Sequence, residues 1–186
     1  MDNVDFLCVL CGLAWVQFID FVKTHIAYIS VGSNIGDKLA NCQNGIASLA
    51  KAAKSRILAQ SRVYVTEPVD YADQDWFINM VVKLKTPLDP FRLLDHIEKV
   101  QQSAGRIQDP VRFGPRILDL DIIFFDDRVI ESKRLVIPHP RMHKRRFVLK
   151  PICDIDPSII HPVLKQDMQY LLNRLGDENQ KVFEYK

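Results

Sequence analysis

The first patterned run, His25 to Ser33 (HIAYISVGS), has strand formers at Ile26, Tyr28 and Val31 and closes at Gly32, which predicts a strand. From Asp37 to Lys54, apolar residues at Leu39, Cys42, Ile46, Leu49 and Ala53 recur in steps of three and four, the signature of one helical face. Asn34 or Asp37 is the candidate cap. Ile57–Tyr64 and Phe77–Lys85 read as two further strands, joined by a loop, Val65–Trp76, longer than a tight hairpin needs. A second helix starts at Asp89-Pro90, follows the stripe Leu93, Leu94, Ile97, Val100 and Ala104, and stops at Gly105. After a loop from Arg106 to Pro115 comes the strongest strand, Ile117–Phe125. The order strand, helix, strand, strand, helix, strand predicts an α+β, ferredoxin-like fold: an antiparallel sheet with both helices on one face. The last third carries prolines at 138, 140, 151, 157 and 162 and a short amphipathic helix, Met168–Leu175. There is no internal repeat, and this plan alone leaves function open.

Composition narrows the field slightly. With 186 residues, 47% apolar and 26% charged, the chain reads as one compact domain and disorder is excluded. A net charge of +2 gives no reason to expect nucleic acid or membrane as a partner. The four cysteines, Cys8, Cys11, Cys42 and Cys153, include one C-x-x-C and no second close pair, so a zinc site is not expected and reduced thiols in the cytoplasm are. Residues 1–24 form an appended leader: Phe6–Val22 is mostly apolar, but Gln17 and Asp20 interrupt it and acids rather than bases precede it. The expected division is leader 1–24, domain 25–176 and polar tail 177–186.

Chemistry concentrates in Arg112-Phe-Gly-Pro-Arg-Ile-Leu-Asp-Leu-Asp-Ile-Ile. On a strand, Asp119 and Asp121 share one side, with Cα atoms roughly 6.6 Å apart, while Leu118, Leu120, Ile122 and Phe124 take the core side. Two like charges so placed need a proton, an arginine or a divalent cation to compensate them. Hard carboxylate oxygens suit Mg²⁺ shared with substrate phosphates. Arg106, Arg112 and Arg116 lie beside this strand, and Arg141, His143, Lys144, Arg145 and Arg146 follow Ile137-Pro-His-Pro. Guanidinium forks bind phosphate oxygens two at a time. Neither a Walker loop nor G-x-G-x-x-G is present.

Gly32-Ser-Asn-Ile-Gly-Asp, Tyr64-x-Thr66-x-Pro68, Phe77-x-Asn79, Gly105-Arg106, the Arg112–Ile122 segment and Ile137-Pro-His-Pro-Arg occur in order. Together they resemble the 6-hydroxymethyl-7,8-dihydropterin pyrophosphokinase family of folate biosynthesis, over about Ile26 to Leu175. The resemblance implies a Mg²⁺-dependent transferase with ATP as a substrate, and two Mg²⁺ ions held by Asp119 and Asp121. It assigns catalysis to Arg106, Arg116, Asp119 and Asp121, and ATP contacts to Glu98, Arg112, Ile122, His139 and Arg145. The pterin would meet Thr66, Val69, Phe77, Asn79, Phe113 and Phe147, its flat ring stacked between aromatics and its polar edge met by the amide. Taken singly, each phenylalanine is better read as ordinary core; only the joint pattern overrides that.

The implied reaction moves pyrophosphate: the pterin hydroxyl attacks the β-phosphorus in line and AMP leaves. No strong base is required when a metal lowers the hydroxyl pKa. A monomer acting on small molecules, with no nucleic acid or membrane partner, is the expectation. The chain departs from the family at Gln101, where an acid is common, at Gln108, where a base is common, and at Phe113, where tryptophan is common. A non-catalytic ferredoxin-like binding module for RNA is the competing class, but it calls for a recognisable aromatic strand motif and a more basic domain.

Overall fold

In a computed structural model the described residues are 23–51, 54–69, 73–105, 114–176 and 180–186. Arg106, Arg112, Phe113 and residues 1–22, which make up most of the expected leader, lie outside them. The chain runs β1 (His25–Ser33), α1 (Lys38–Ala50), β2 (Arg56–Gln60), β3 (Tyr64–Thr66), β4 (Phe77–Thr86), α2 (Pro90–Ser103) and β5 (Asp119–Phe125). A small hairpin of β6 (Ile130–Glu131) and β7 (Val136–Ile137) follows, then α3 (Arg146–Ile155), α4 (Met168–Arg174) and β8 (Val182–Glu184). The main sheet has the order β5-β1-β4-β3-β8, with β2 also on β4. Every pairing is antiparallel. That is the expected ferredoxin-like α+β arrangement.

Local chemistry sets the boundaries. Asp37, not Asn34, caps α1, accepting from the Ala40 N–H at 3.0 Å. Asp89 caps α2 through the Phe91 and Arg92 N–H groups, with Pro90 in the first turn. Gly105 follows α2 at φ +91°, a conformation that suits glycine. The single predicted strand Ile57–Tyr64 is split in two, and the split takes Val65 and Thr66 out of the predicted loop into β3. At the break, the Ser61 hydroxyl accepts from the Val81 N–H while the Ser61 N–H donates to the Val81 carbonyl, both at 3.0 Å. A side chain thus replaces a rung of the ladder.

Two layers of helix enclose the sheet. The stripes of α1 and α2 pack on one face with Ala27, Ile29, Val31, Met80, Leu84, Leu118, Leu120 and Ile122. On the other face α3 and α4 pack over Tyr28, Val81, Ile123 and Phe124. Phe124 therefore lies opposite to its expected side. The register passes from Ile29↔Ile122 to Tyr28↔Phe124, so Ile123 is an extra residue that inverts the alternation after Ile122. Sequence patterning also missed α3, which contains Pro151. Burial of Val148, Leu149 and Ile152 outweighs the backbone bond that proline removes. The end of α3 is pinned to the sheet by Asp154, which accepts from Arg62 at 2.5 Å and Tyr64 at 2.6 Å, and by Asp156, which accepts from Lys83 at 2.7 Å and from Tyr28. These helices cover only part of their face; the rest opens into a cleft. Among the described residues no helix is long and apolar enough to cross a membrane.

Candidate active site

Strand register builds the floor of the cleft. Gly32 on β1 stands opposite Asp119 on β5 and Asn79 on β4. One step along, Ser30 stands opposite Asp121 and Val81. Directly paired residues of an antiparallel sheet face the same side, so Asp119, Asp121 and Asn79 all open toward the α3 side. Gly32 is required by space. A Cβ there would sit 2.6 Å from the Asn79 Oδ1. The Asn79 amide is held from its other end, where Nδ2 donates to the Thr66 Oγ1 at 2.6 Å. Its oxygen lies over Gly32.

The walls come from three segments. Arg116, on the approach to β5, pairs with Asp119 at 2.7 Å, so arginine is the first compensation for the two carboxylates. His139, Arg141, Arg145 and Phe147 line the cleft from the segment leading into α3, and Thr66, Glu67, Val69, Gln74 and Phe77 line it from the β3–β4 side. The volume is about 220 Å³. Arg145 lies over the Phe147 ring, 5.3 Å from its centroid.

Burial, with the charges of Arg145 and Arg141 adding to it, pushes His139 down to about 4. Its Nδ1 accepts from the Arg141 N–H at 3.3 Å, which leaves the ring proton on Nε2. His139 is thus a neutral donor near neutral pH. Its own N–H donates to the Ile123 carbonyl at 3.0 Å, fixing this wall to β5.

Ten of the residues singled out from the sequence meet in this cleft: Arg116, Asp119, Asp121, His139, Arg145, Thr66, Val69, Phe77, Asn79 and Phe147. Two do not. Glu98 lies on the exposed side of α2 with its carboxylate 3.6 Å from Arg134, because the stripe that buries Ile97 and Val100 turns it away from the sheet. Ile122 is 4% exposed and packed against the two helices, so its side chain is core. Gln101 is the residue of α2 that reaches the site region: buried, its Oε1 accepts from the Leu120 N–H, between the two acids, at 3.0 Å. Ser30, Glu67 and Gln74 join the lining without having been singled out by motif. Ser30 is readable from its two-residue spacing to Gly32 on β1; Glu67 and Gln74 sit in an irregular segment with no periodic signal.

Among the described residues no three metal-ligating side chains cluster. Asp119 and Asp121 suit an ion that draws its remaining ligands from water and phosphate, as Mg²⁺ does, rather than one caged by protein alone.

The family model described as 7,8-dihydro-6-hydroxymethylpterin-pyrophosphokinase matches residues 28–157. A Bacillus subtilis 2-amino-4-hydroxy-6-hydroxymethyldihydropteridine pyrophosphokinase is 44% identical over 131 residues, covering 70% of this chain and 78% of its own length. The Schizosaccharomyces pombe folic acid synthesis protein fol1 is 40% identical over 161 residues, 87% of this chain. The chain spans only 22% of that fungal relative. Among solved structures, a Plasmodium falciparum HPPK-DHPS with pterin and p-hydroxybenzoate aligns with 82% of this chain and 42% of its own, at a TM-score of 0.65 and 18% identity. At that identity the likeness is one of fold.

Proposed function

From the premise that the chain belongs to the 7,8-dihydro-6-hydroxymethylpterin-pyrophosphokinase family, we propose that its cleft transfers pyrophosphate from ATP to the hydroxymethyl group of 6-hydroxymethyl-7,8-dihydropterin and releases AMP. The single observation that carries this reading is the shared opening of Asp119, Asp121 and Asn79 into one cleft bordered by Arg116, Arg141 and Arg145. An anionic substrate end and a flat polar one are both provided for.

Asp119 and Asp121 would hold Mg²⁺, which when bound supplies charge neutralisation on the phosphates. Arg116, Arg141 and Arg145 grip phosphate oxygens, a role the family resemblance extends to Arg106 and Arg112. His139 donates from Nε2 to an oxygen on the AMP side, and its suppressed basicity keeps it a donor that does not take up a second proton. The Asn79 carbonyl and Thr66 meet the hydrogen-bonding edge of the pterin, with Phe77, Phe147 and Phe113 against the ring and Val69 beside it. Held in this way, the hydroxyl oxygen faces the β-phosphorus opposite the bond to the α-phosphate oxygen; the new P–O bond forms as that bond breaks, and the hydroxyl proton leaves to a phosphate oxygen or water. Free Cys42 and Cys153 support a reducing, cytoplasmic setting.

The test is to incubate the protein with ATP, Mg²⁺ and the hydroxymethyl pterin and weigh the products. AMP and a pterin heavier by pyrophosphate are expected; ADP, or an unmodified pterin, overturns the reading.

A further inference from the structure

The Gly32-Ser33-Asn34 motif contains a residue the reaction does not use directly. Asn34 is 2% exposed and stands behind the cleft wall rather than in it. Its backbone N–H donates to the Arg116 carbonyl at 3.0 Å, and its Oδ1 accepts the Arg116 N–H at 2.6 Å. Its Nδ2 donates to the Gln74 Oε1 at 3.0 Å and to the Asp75 carbonyl at 3.2 Å. Both amide protons and the amide oxygen are engaged.

The partners lie on the two sides of the cleft. Arg116 carries the guanidinium that pairs with Asp119, on the phosphate side of the proposed site. Gln74 and Asp75 lead through Trp76 into Phe77 and Asn79, on the pterin side. Asn34 directly follows β1, so one side-chain amide ties the two segments together. We propose that Asn34 is a positioning residue coupling the nucleotide and pterin halves of the site, so that occupancy of one raises affinity for the other. A shift of the Arg116 backbone as its guanidinium exchanges Asp119 for a phosphate is passed through one amide to Gln74 and Asp75. Coupling between sites requires an element that both sites bias, and this amide touches both. The coupling role rests on the substrate assignment under Proposed function.

A control is available in the fold. Lys38 grips the same pterin-side segment, donating to the Trp76 carbonyl at 2.8 Å and pairing with Asp75 at 3.3 Å, while the bonds to Arg116 are Asn34's. The experiment measures pterin affinity by calorimetry with and without a non-hydrolysable ATP analogue and Mg²⁺, on the full chain. In the wild type the analogue is expected to tighten pterin binding at least about tenfold. Asn34→Ala and Asn34→Asp should reduce that ratio below about threefold, while Lys38→Met keeps it. Asn34→Asp retains the acceptor for the Arg116 N–H and exchanges the amide donors for a carboxylate, so it carries the test if Asn34→Ala does not melt cooperatively. An unchanged ratio in both Asn34 variants, no ratio in the wild type, an equal loss in Lys38→Met, or misfolding of both Asn34 variants overturns the coupling role. Absence of AMP formation by the wild type would instead overturn the substrate assignment.

Discussion

Replacing Gly32 with alanine tests the floor of the site with one methyl group. The new Cβ would sit 2.6 Å from the Asn79 Oδ1, 3.6 Å from its Cγ and 3.8 Å from the Ile78 carbonyl, and no atom of Asp119 is among these nearest neighbours. Gly32 lies within β1 and not in the left-handed region, so alanine adds no backbone strain there. The clash falls on one amide. To clear it, the Asn79 side chain must swing, and its 2.6 Å bond to Thr66 must stretch or break in a buried place. A buried partner left unsatisfied costs about 1–3 kcal/mol, which corresponds to roughly 5- to 150-fold in affinity for a ligand that reads this amide. Steady-state kinetics with each substrate varied in turn gives the readout. KM for the pterin should rise by at least about fivefold and KM for ATP should move by less than about threefold. Equal shifts for both substrates, or none for the pterin, would refute the placement of Asn79.

Three further outcomes follow from the same geometry. Asp121→Ala should lower turnover by about 10³-fold or more while leaving the melting temperature within about 3 °C, because the half-buried carboxylate lines the cleft rather than the core; thermal melts and AMP release check both parts. Glu98→Ala should leave KM for ATP within about twofold, since this carboxylate meets Arg134 on the surface of α2; a tenfold rise would restore it to the site. His139, held down to about 4 against an ordinary value of 6.5, binds fewer protons folded than unfolded between those limits. Its stabilising contribution is complete above pH 6.5 and is lost as pH falls toward 4, by at most about 3.4 kcal/mol at 1.36 kcal/mol per pH unit. The gap in denaturant midpoint between wild type and His139→Asn should be steady above pH 6.5 and shift against the wild type as pH falls from 6.5 toward 4; a gap that stays constant through that window would refute this. His143 and His161, lowered by the same burial, act with the same sign in both proteins and cancel in the comparison.

Much of this architecture is legible in the sequence because its signals are local. The caps at Asp37 and Asp89, the glycine after α2 and the alternation that puts Asp119 and Asp121 together all depend on residues a few positions apart. What the pattern does not show depends on partners far along the chain. The bulge at Ile123 is a property of the β1–β5 pairing, and it moves Phe124 to the opposite face. The split at Ser61 arises from a hydroxyl meeting Val81. Helix α3 is disguised by Pro151, whose local preference yields to burial of Val148, Leu149 and Ile152 on the sheet. Glu98 and Gln101 are a more instructive pair. Three positions apart on one helix, they differ in that Glu98 faces solvent beside Arg134 while Gln101 is buried with its Oε1 on the Leu120 N–H, a distinction set by partners far along the chain.

The sheet also explains why a glycine must lie between a carboxylate and an amide. Asp119, Gly32 and Asn79 occupy one row across three strands, and two strand spacings set the outer residues about 9.6 Å apart. In the proposed reaction a pterin edge rests at one end of that row and a pyrophosphoryl group at the other, with the hydroxymethyl carbon and its oxygen between them. Any side chain at the middle position would stand where the reacting oxygen must pass, and the first atom of one already collides with Asn79. The span is fixed by backbone hydrogen bonds rather than by flexible side chains, so it withstands substitution of the loops above it. Substrates differing in the length between ring and hydroxyl should therefore be discriminated through turnover more than through binding: the ring and the phosphates can each still reach their own end of the row, but the attacking oxygen no longer meets phosphorus in line.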